Sequence, residues 1–176
     1  RKESSAASDV YKRQDAFHAR GIRVLVDVVL NHSGESDVFG PTLSYRGLDN
    51  RLYYRTHPDD PGLLVNDTGC GNTLALEREP VGRMALDALR LMVQAAGVDG
   101  FRYDLGTVLG RTETGYFEPD APLLRQIAED PVLRDRIHVM EPWDIGPGGY
   151  QLGNFKPPYH ESVSYTHLRA HETPEH

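Results

Sequence analysis

The distribution of apolar residues predicts three short buried strands separated by helices. Apolar residues run almost without interruption over Arg23–Val29 and Ile137–Met140, and a third short run lies within Gly97–Leu105. Continuous rather than alternating apolar residues are typical of parallel strands that are covered on both faces. We therefore expect a parallel sheet, with Arg23–Val29 as a buried strand rather than an edge strand.

Helical periodicity fills the intervals between these strands. Arg83–Ala96 carries a broad apolar face and is followed by Gly97, a residue that closes helices in the left-handed conformation. Two further helices are predicted, one ending near Arg20 before Gly21 and one running from Asp120 or Pro122 to Asp130. The order of elements predicts right-handed parallel crossovers, as in an α/β barrel or an open α/β sheet.

A long polar segment, residues 31–80, interrupts this alternation. It is rich in glycine and proline and shows little periodicity, which predicts a functional loop or a small inserted subdomain. Its aromatic residues can either pack internally or stack on a sugar ring, and packing is the slightly favoured interpretation for each. These residues are Phe39, Tyr45, Tyr53 and Tyr54.

Length and composition bound the class of protein. The chain of 176 residues is 39% hydrophobic and 26% charged, with a net charge of −7. It is long enough for one core but too short for a complete eight-stranded barrel. The acidic charge argues against nucleic acid as a partner, and the absence of a long apolar run argues against a membrane. The single cysteine, Cys70, cannot form an internal disulfide, and we expect a cytoplasmic protein.

The two ends of the chain differ from the rest. Residues 4–14 and 163–173 match in-frame translations of the two common transposase sequencing adapters, and neither shows a periodicity that continues into its neighbour. We therefore expect residues 1–14 and 162–176 to be non-native, and residues 15–161 to be a piece of one domain. This interpretation removes His167 and His171 as candidate metal ligands.

Acidic residues stand at or near the ends of all three predicted strands. Asp27 lies near the end of the first, Asp104 follows the second and Glu141 follows the third. Neighbouring parallel strands lie about 4.8 Å apart, so Asp104 and Glu141 can bring their carboxyl groups within roughly 5–6 Å. That separation matches the nucleophile and acid/base pair of a retaining glycosidase.

The neighbours of these carboxylates suggest how the two roles divide. Arg102 stands two residues before Asp104 and points to the same side of the strand, where a guanidinium favours an ionised nucleophile. Glu141 has no cation beside it in the sequence and precedes Pro142-Trp143. A more apolar setting would favour its protonated form, as a general acid requires.

Other types of site remain open at this point. His32, Asp104 and Glu141 could together bind a metal ion, although their spacing is long and no HExxH or CxxC motif is present. The chain also lacks the glycine patterns of dinucleotide-binding and P-loop folds. From spacing alone, a glycosidase is only somewhat favoured over an unspecified barrel site.

The same residues carry a resemblance to a known family. Asp27–His32 (DVVLNH), Gly100–Asp104 (GFRYD) and Glu141–Trp143 (EPW) resemble, in order and separation, three motifs of glycoside hydrolase family 13, the α-amylase superfamily. Three further segments resemble bacterial glycogen-debranching enzymes of the isoamylase type. They are Thr68–Leu74, Leu109–Arg111 and Glu141–Gln151.

The resemblance implies a (β/α)8 barrel, of which this chain would hold strands three, four and five with a long loop after strand three. It implies hydrolysis of α-1,6 branch linkages in glycogen or limit dextrin with retention of configuration. Asp104 would be the nucleophile and Glu141 the general acid/base. Arg102 would orient Asp104, and His32 would hold the sugar. Supporting roles would fall to Asp27, Asn31 and Trp143.

Several features of the family are missing from the chain. A fourth motif, a His-Asp pair that supplies the third catalytic acid, is absent, and Lys156 stands where proline is expected. The chain as written should therefore be inactive. Alternatives are an α-1,4 or trehalose-releasing hydrolase, or a non-catalytic barrel relative that acts as a binding protein. We expect no cofactor; family members differ in their use of calcium, and no ligand cluster here calls for it.

Overall fold

Four parallel strands form one sheet in chain order. The structure is a computed structural model that describes residues 5–162. The strands are β1 (Leu25–Val28), β2 (Gly100–Tyr103), β3 (Ile137–Met140) and β4 (Tyr159–Glu161). Each pairs in parallel with the next, as the continuous apolar runs predicted.

In the described residues, four α-helices and one 3-10 helix precede or connect these strands. They are α1 (Ser5–His18), α2 (Arg46–Tyr53), α3 (Glu79–Ala96), the 3-10 helix Gly106–Gly110 and α4 (Pro122–Glu129). The strand-helix alternation confirms the predicted α/β class and is that of a partial barrel.

Helix α3 ends where the sequence predicts but begins four residues earlier. Pro80 lies in its first turn, where a backbone N–H has no intrahelical acceptor, so proline removes no hydrogen bond there. Gly97 closes the helix with φ +64°, and its N–H donates to Val93 O. A residue other than glycine would be strained in this left-handed conformation.

The core lies between strands β2 and β3 and helices α3 and α4. Phe101 and Tyr103 of β2 and Leu89 of α3 are fully buried. His138 of β3 is also fully buried, and its two ring nitrogens contact Tyr103 Oη at 2.8 Å and Leu133 O at 2.9 Å. Burial lowers the pKa of His138, so this histidine is a neutral core residue and not part of a site.

The sheet departs from the prediction at both sides. β1 is shorter than predicted and is an edge strand within the described residues, with Leu25 and Val29 exposed, so its assignment as a fully covered strand was wrong. A fourth strand, Tyr159–Glu161, was not predicted, because three residues are too few to form a recognisable apolar run.

The backbone is continuous across the boundary expected between non-native and native sequence at residues 14 and 15. Helix α1 runs continuously from Ser5 to His18, and buried Gln14 donates a hydrogen bond of 2.6 Å to Gly97 O. That residues 1–14 are not native stays a prediction. Residues 1–4 and 163–176 lie outside the described residues.

The segment after β1 folds as a loop with little regular structure, as predicted. It contains α2, which is kinked at Asp49, and isolated bridges Tyr54–Leu74 and Thr56–Leu64. Tyr54 is fully buried, and Tyr45 stacks on Tyr53 with ring centroids 4.7 Å apart, so these tyrosines pack internally. Among the described residues, no helix has the length and apolar character needed to cross a bilayer.

Candidate active site

The predicted site residues meet at the carboxyl ends of β1, β2 and β3. Asp27 is paired in register with Arg102, one strand away. Asp104 and Glu141 follow directly, and their N–H groups extend the ladder by donating to Val28 O and Tyr103 O, each at 3.1 Å. The parallel register therefore brings residues from three distant parts of the chain to one edge of the sheet.

Arg102 contacts three carboxylates at this edge. Its Nη1 lies 2.9 and 3.0 Å from the two oxygens of Asp27 and 3.7 Å from Asp104 Oδ1, whereas its Nη2 lies 2.9 Å from Glu141 Oε1. Partial burial lowers the pKa of Arg102, but these carboxylates outweigh burial and the net change is upward.

These contacts confirm one expectation and correct another. Asp27 is ion-paired at the strand end, as expected, although its side chain is exposed on an edge strand rather than buried. Glu141 has no cation beside it in the sequence, but the more apolar setting expected for it was wrong, because the guanidinium of Arg102 reaches across from the adjacent strand. The sequence could not show this contact, since the two residues are far apart along the chain.

Glu141 is held at two points. Its side chain is 4% exposed, and Oε2 accepts a hydrogen bond of 3.0 Å from the N–H of Leu105. Leu105 follows Asp104 and has φ +44°, a left-handed conformation that is uncommon outside glycine. Strained residues of this kind cluster at functional sites, where the surrounding structure holds them in place.

A short hydrogen-bonded chain leads from Asp104 to His32. Asn31 is fully buried, and its Nδ2 donates to Asp104 O at 2.7 Å and to Asp104 Oδ2 at 3.0 Å. The amide oxygen of Asn31 lies 2.5 Å from His32 Nδ1. Because an amide oxygen can only accept, His32 Nδ1 carries the proton in the neutral ring, which leaves Nε2 as an acceptor.

Trp143 follows Glu141 in a tight turn, in which its N–H donates to Glu141 O at 2.9 Å. Its side chain is partly buried and packs against the core. A supporting role for this residue stays a prediction.

Among the described residues, no group of three or more His, Cys, Asp or Glu side chains is arranged to hold a metal ion.

The structure also shows a buried ionic chain that sequence reasoning missed. Arg111 is 1% exposed and pairs through Nε and Nη2 with both oxygens of Asp144, at 2.8 and 2.5 Å. Asp67 lies 3.7 Å from Arg111 and 3.9 Å from Arg55, which in turn lies 3.5 Å from Glu77. Signs alternate along the whole chain, which lowers the cost of burying these charges.

This ionic chain connects the loops that follow β1, β2 and β3. Burial raises the pKa of Asp67, although Arg111 and Arg55 oppose that change. Gly146 packs closely against Asp67 and Arg111, and a Cβ at this position would lie 2.3 Å from Asp67 Oδ1. Arg111 and Asp144 lie in segments that resemble bacterial glycogen-debranching enzymes, whereas Asp67, Arg55 and Glu77 do not. The ion pairs join residues too distant along the chain to be predicted from the sequence.

The arrangement at the strand ends is suited to acid/base and nucleophilic chemistry. Asp104 and Glu141 follow neighbouring strands and contact the same guanidinium, and His32 is linked to Asp104 through Asn31. The carboxyl separation of roughly 5–6 Å stays a prediction. Paired carboxylates on adjacent strand ends are the machinery that glycoside hydrolases use.

Relatives with known names match most of the chain. It is 53% identical over 146 residues to a glycogen debranching enzyme of Salmonella paratyphi A, and equally similar to that of Salmonella heidelberg. Each match covers 83% of this chain and 22% of the relative, so the chain spans about a fifth of the length of these relatives. No model of a protein family matches the chain.

Solved structures of pullulanases share the fold. One from Anoxybacillus sp. LM18-11, complexed with maltotriose, has a TM-score of 0.62 and 30% identity and covers 83% of this chain and 20% of its own. Another from Bacillus acidopullulyticus has a TM-score of 0.62 and 25% identity, covering 88% of this chain and 17% of its own. These matches confirm the resemblance to glycoside hydrolase family 13, and the chain is similar to about a fifth of these debranching enzymes and pullulanases.

Proposed function

We propose that the full-length protein hydrolyses α-1,6 branch linkages of glycogen or limit dextrin with retention of configuration. The observation that carries this proposal is the contact of Arg102 with both Asp104 and Glu141 at adjacent strand ends. The similarity to glycogen debranching enzymes supports the choice of linkage. Branched α-glucan is the proposed partner, and the cytoplasm, where glycogen is stored, is the proposed location.

In the proposed reaction, Asp104 attacks the anomeric carbon of the branch residue. Glu141 donates its proton to the glycosidic oxygen, so the carbon–oxygen bond breaks, its electron pair goes to that oxygen, and the main chain leaves as an alcohol. A water molecule then gives a proton to Glu141 and attacks the glycosyl ester. This step releases the branch as a sugar and regenerates both carboxyl groups.

The other residues hold these two groups in place. Arg102 fixes the orientation of both side chains and balances the negative charge of Asp104, and Asp27 anchors Arg102 from the neighbouring strand. Asn31 orients Asp104 and sets the tautomer of His32. With Nδ1 protonated, His32 Nε2 is free to accept a hydrogen bond from a sugar hydroxyl, which would hold the sugar next to Asp104.

The test begins with the DNA of the source locus. We propose that residues 1–14 and 162–176 are not native, so genomic sequence should diverge from the present chain before Asp15 and after Glu161. It should continue into a barrel end that carries the His-Asp pair. A native gene identical to this chain at both ends would contradict this proposal.

The activity test uses the full-length protein encoded there. We expect release of reducing sugar from glycogen limit dextrin but not from unbranched amylose, and loss of that release in Glu141→Gln and Asp104→Asn. Glu118→Gln, an exposed glutamate, is the matched control. Cleavage of amylose would favour an α-1,4 specificity instead. Glucan binding without turnover in the unaltered protein would indicate a binding protein.

A further inference from the structure

The segment Thr68–Leu74, in the long loop after β1, has no part in the proposed reaction. It forms no helix or named strand, yet Asn72 and Thr73 are fully buried and Thr68 is nearly so. A buried polar group is costly unless it is hydrogen-bonded. The partners of these side chains therefore show what the segment does.

The amide of Asn72 holds the backbone immediately after His32. Asn72 Oδ1 accepts a hydrogen bond of 2.9 Å from the N–H of Ser33, and Asn72 Nδ2 donates to Ser33 O at 3.1 Å and to Ser36 O at 2.7 Å. An amide offers an acceptor and two donors on one group, which neither a carboxylate nor a hydroxyl does. One buried side chain therefore satisfies both polar backbone groups of Ser33.

The same segment also holds the backbone immediately before His32. The N–H of Leu74 donates to Asn31 O at 2.9 Å. Both peptide groups that flank His32 are thus hydrogen-bonded to residues 72–74, one through the carbonyl of Asn31 and the other through the N–H of Ser33. Because the backbone of His32 is fixed on both sides, the direction in which its ring leaves the chain is fixed as well.

Asn72 is itself held in place by its neighbours. Thr68 Oγ1 donates to Asn72 O at 2.7 Å, and the N–H of Asp67 donates to Thr73 Oγ1 at 2.8 Å. Asp67 O accepts a hydrogen bond of 2.9 Å from the N–H of Ile145, which ties this part of the chain to the loop after β3. A side chain can orient a binding group only when it is itself fixed, and Asn72 meets that condition.

We propose that Asn72 is a positioning residue, which acts through Ser33 to hold the ring of His32 in the orientation that meets the sugar. This inference rests on the proposed function. Asn72 does not contact the substrate, and its effect on the reaction passes through His32. Loss of Asn72 should therefore reduce activity only while His32 is present.

The experiment is a double-mutant cycle in the full-length protein, with kcat/KM for glycogen limit dextrin as the readout. Asn72→Ala should lower kcat/KM about tenfold, the effect of one lost hydrogen bond to the sugar, and His32→Ala should lower it by at least as much. The double variant should lie within about twofold of His32→Ala, because Asn72 then has no ring to orient. A general loss of structure would instead multiply the two losses.

The matched control is Asn154→Ala, which removes an exposed amide that donates to Gln151 Oε1 at 2.8 Å. It should leave kcat/KM unchanged in both backgrounds. Losses that multiply in the double variant of Asn72 and His32, or no loss in Asn72→Ala, would overturn the proposal.

A milder variant keeps the test decisive if Asn72→Ala does not fold, which urea unfolding would reveal. Thr68→Val replaces the hydroxyl that donates to Asn72 O with a methyl group of similar size. It should lower kcat/KM about threefold, and this loss should disappear in the His32→Ala background. The same loss in both backgrounds, or no loss in either, would contradict the positioning role.

A spectroscopic measurement separates failure of this inference from failure of the proposed function. If the unaltered protein hydrolyses no branched glucan, the proposed function is wrong, and the ring of His32 then decides the positioning by itself. NMR of protein labelled at the histidine ring nitrogens should show His32 with its proton on Nδ1, in a signal identified by its loss in His32→Ala. Asn72→Ala should convert this signal to a mixture of tautomers and Asn154→Ala should not. An unchanged signal in Asn72→Ala would overturn the inference.

Discussion

The N–H of Leu105 donates a hydrogen bond of 3.0 Å to Glu141 Oε2, which links the end of β2 to the end of β3. Leu105 makes this bond from a left-handed conformation, φ +44°, that costs an L-residue roughly 1–2 kcal/mol. The residue is also buried, so the core holds it in place. The hydrogen bond fixes one oxygen of Glu141 and leaves the other on Arg102.

Arg102 should be indispensable because it is the single group that contacts Asp27, Asp104 and Glu141 together among the described residues. In the full-length protein, Arg102→Met should reduce kcat by roughly 10²-fold or more, the usual cost of removing one fixed electrostatic contact from a reacting group. Steady-state kinetics on limit dextrin measures this. Arg83→Met, which removes an exposed arginine on α3, is the control and should leave kcat unchanged.

Among the arginines, Arg111 should contribute most to the free energy of unfolding. Arg111→Met leaves Asp144 buried without its cation and leaves Asp67 with Arg55 alone, which should cost about 3–5 kcal/mol of the free energy of unfolding. The matched change Arg134→Met removes an exposed partner of exposed Asp135 and should cost about 0–1 kcal/mol. Urea unfolding of the full-length protein compares them, and equal midpoints for the two variants would contradict the structural role of Arg111.

Gly97 should be required for its backbone conformation alone. A Cβ at this position would meet only Gln14 Nε2, at 3.7 Å, so Gly97→Ala creates no clash. Its φ of +64° should still make alanine cost about 1 kcal/mol. Gly34→Ala is the control, because a Cβ at Gly34 would meet no atom within 4 Å and Gly34 lacks a positive φ. A thermal shift no larger than that of Gly34→Ala would show that the cap tolerates a side chain.

Glu35 should make the free energy of unfolding depend on pH at acidic pH. Burial raises the pKa of Glu35, but the Tyr54 hydroxyl and the N–H groups of Ser44, Arg46 and Leu43 outweigh it and lower the value from 4.5 to about 2. A carboxyl whose pKa is lower in the folded state contributes stability above pH 4.5 and loses it as the pH falls towards 2.

Glu35→Gln should therefore destabilise the protein at neutral pH and flatten the loss of stability between pH 4.5 and pH 2. Urea midpoints measured across this range test the expectation. Glu118→Gln, an exposed glutamate, is the control. A Glu35→Gln curve parallel to that of the unaltered protein would exclude Glu35 as the source of the pH dependence.

The 176-residue chain by itself should be inactive and prone to association. β1 and β4 each pair on one side only within the described residues, and Leu25 and Val29 are exposed beside the open edge of β1. Unpaired edges with apolar side chains recruit other strands. Size-exclusion chromatography should show oligomers or aggregates, and no reducing sugar should appear from limit dextrin. A stable active monomer would refute both expectations.

Local sequence determined much of the secondary structure and the identity of the site. Continuous apolar residues specified β3, helical periodicity and Gly97 specified the end of α3, and Pro122 and Asp130 bounded α4. The acidic residues at strand ends identified the candidate site, because a charged group in a buried strand is costly unless it has a partner or a function. These signals lie within a few residues of each other and can be found without a structure.

Only the tertiary structure decided which charges meet. The contact of Arg102 with Glu141 and the chain from Glu77 through Arg55 and Asp67 to Arg111 join residues that are tens of positions apart. The strand β4 likewise exists because β3 offers it an edge, not because its three residues favour extension. Register and packing set these distances, and neither is encoded in the local pattern.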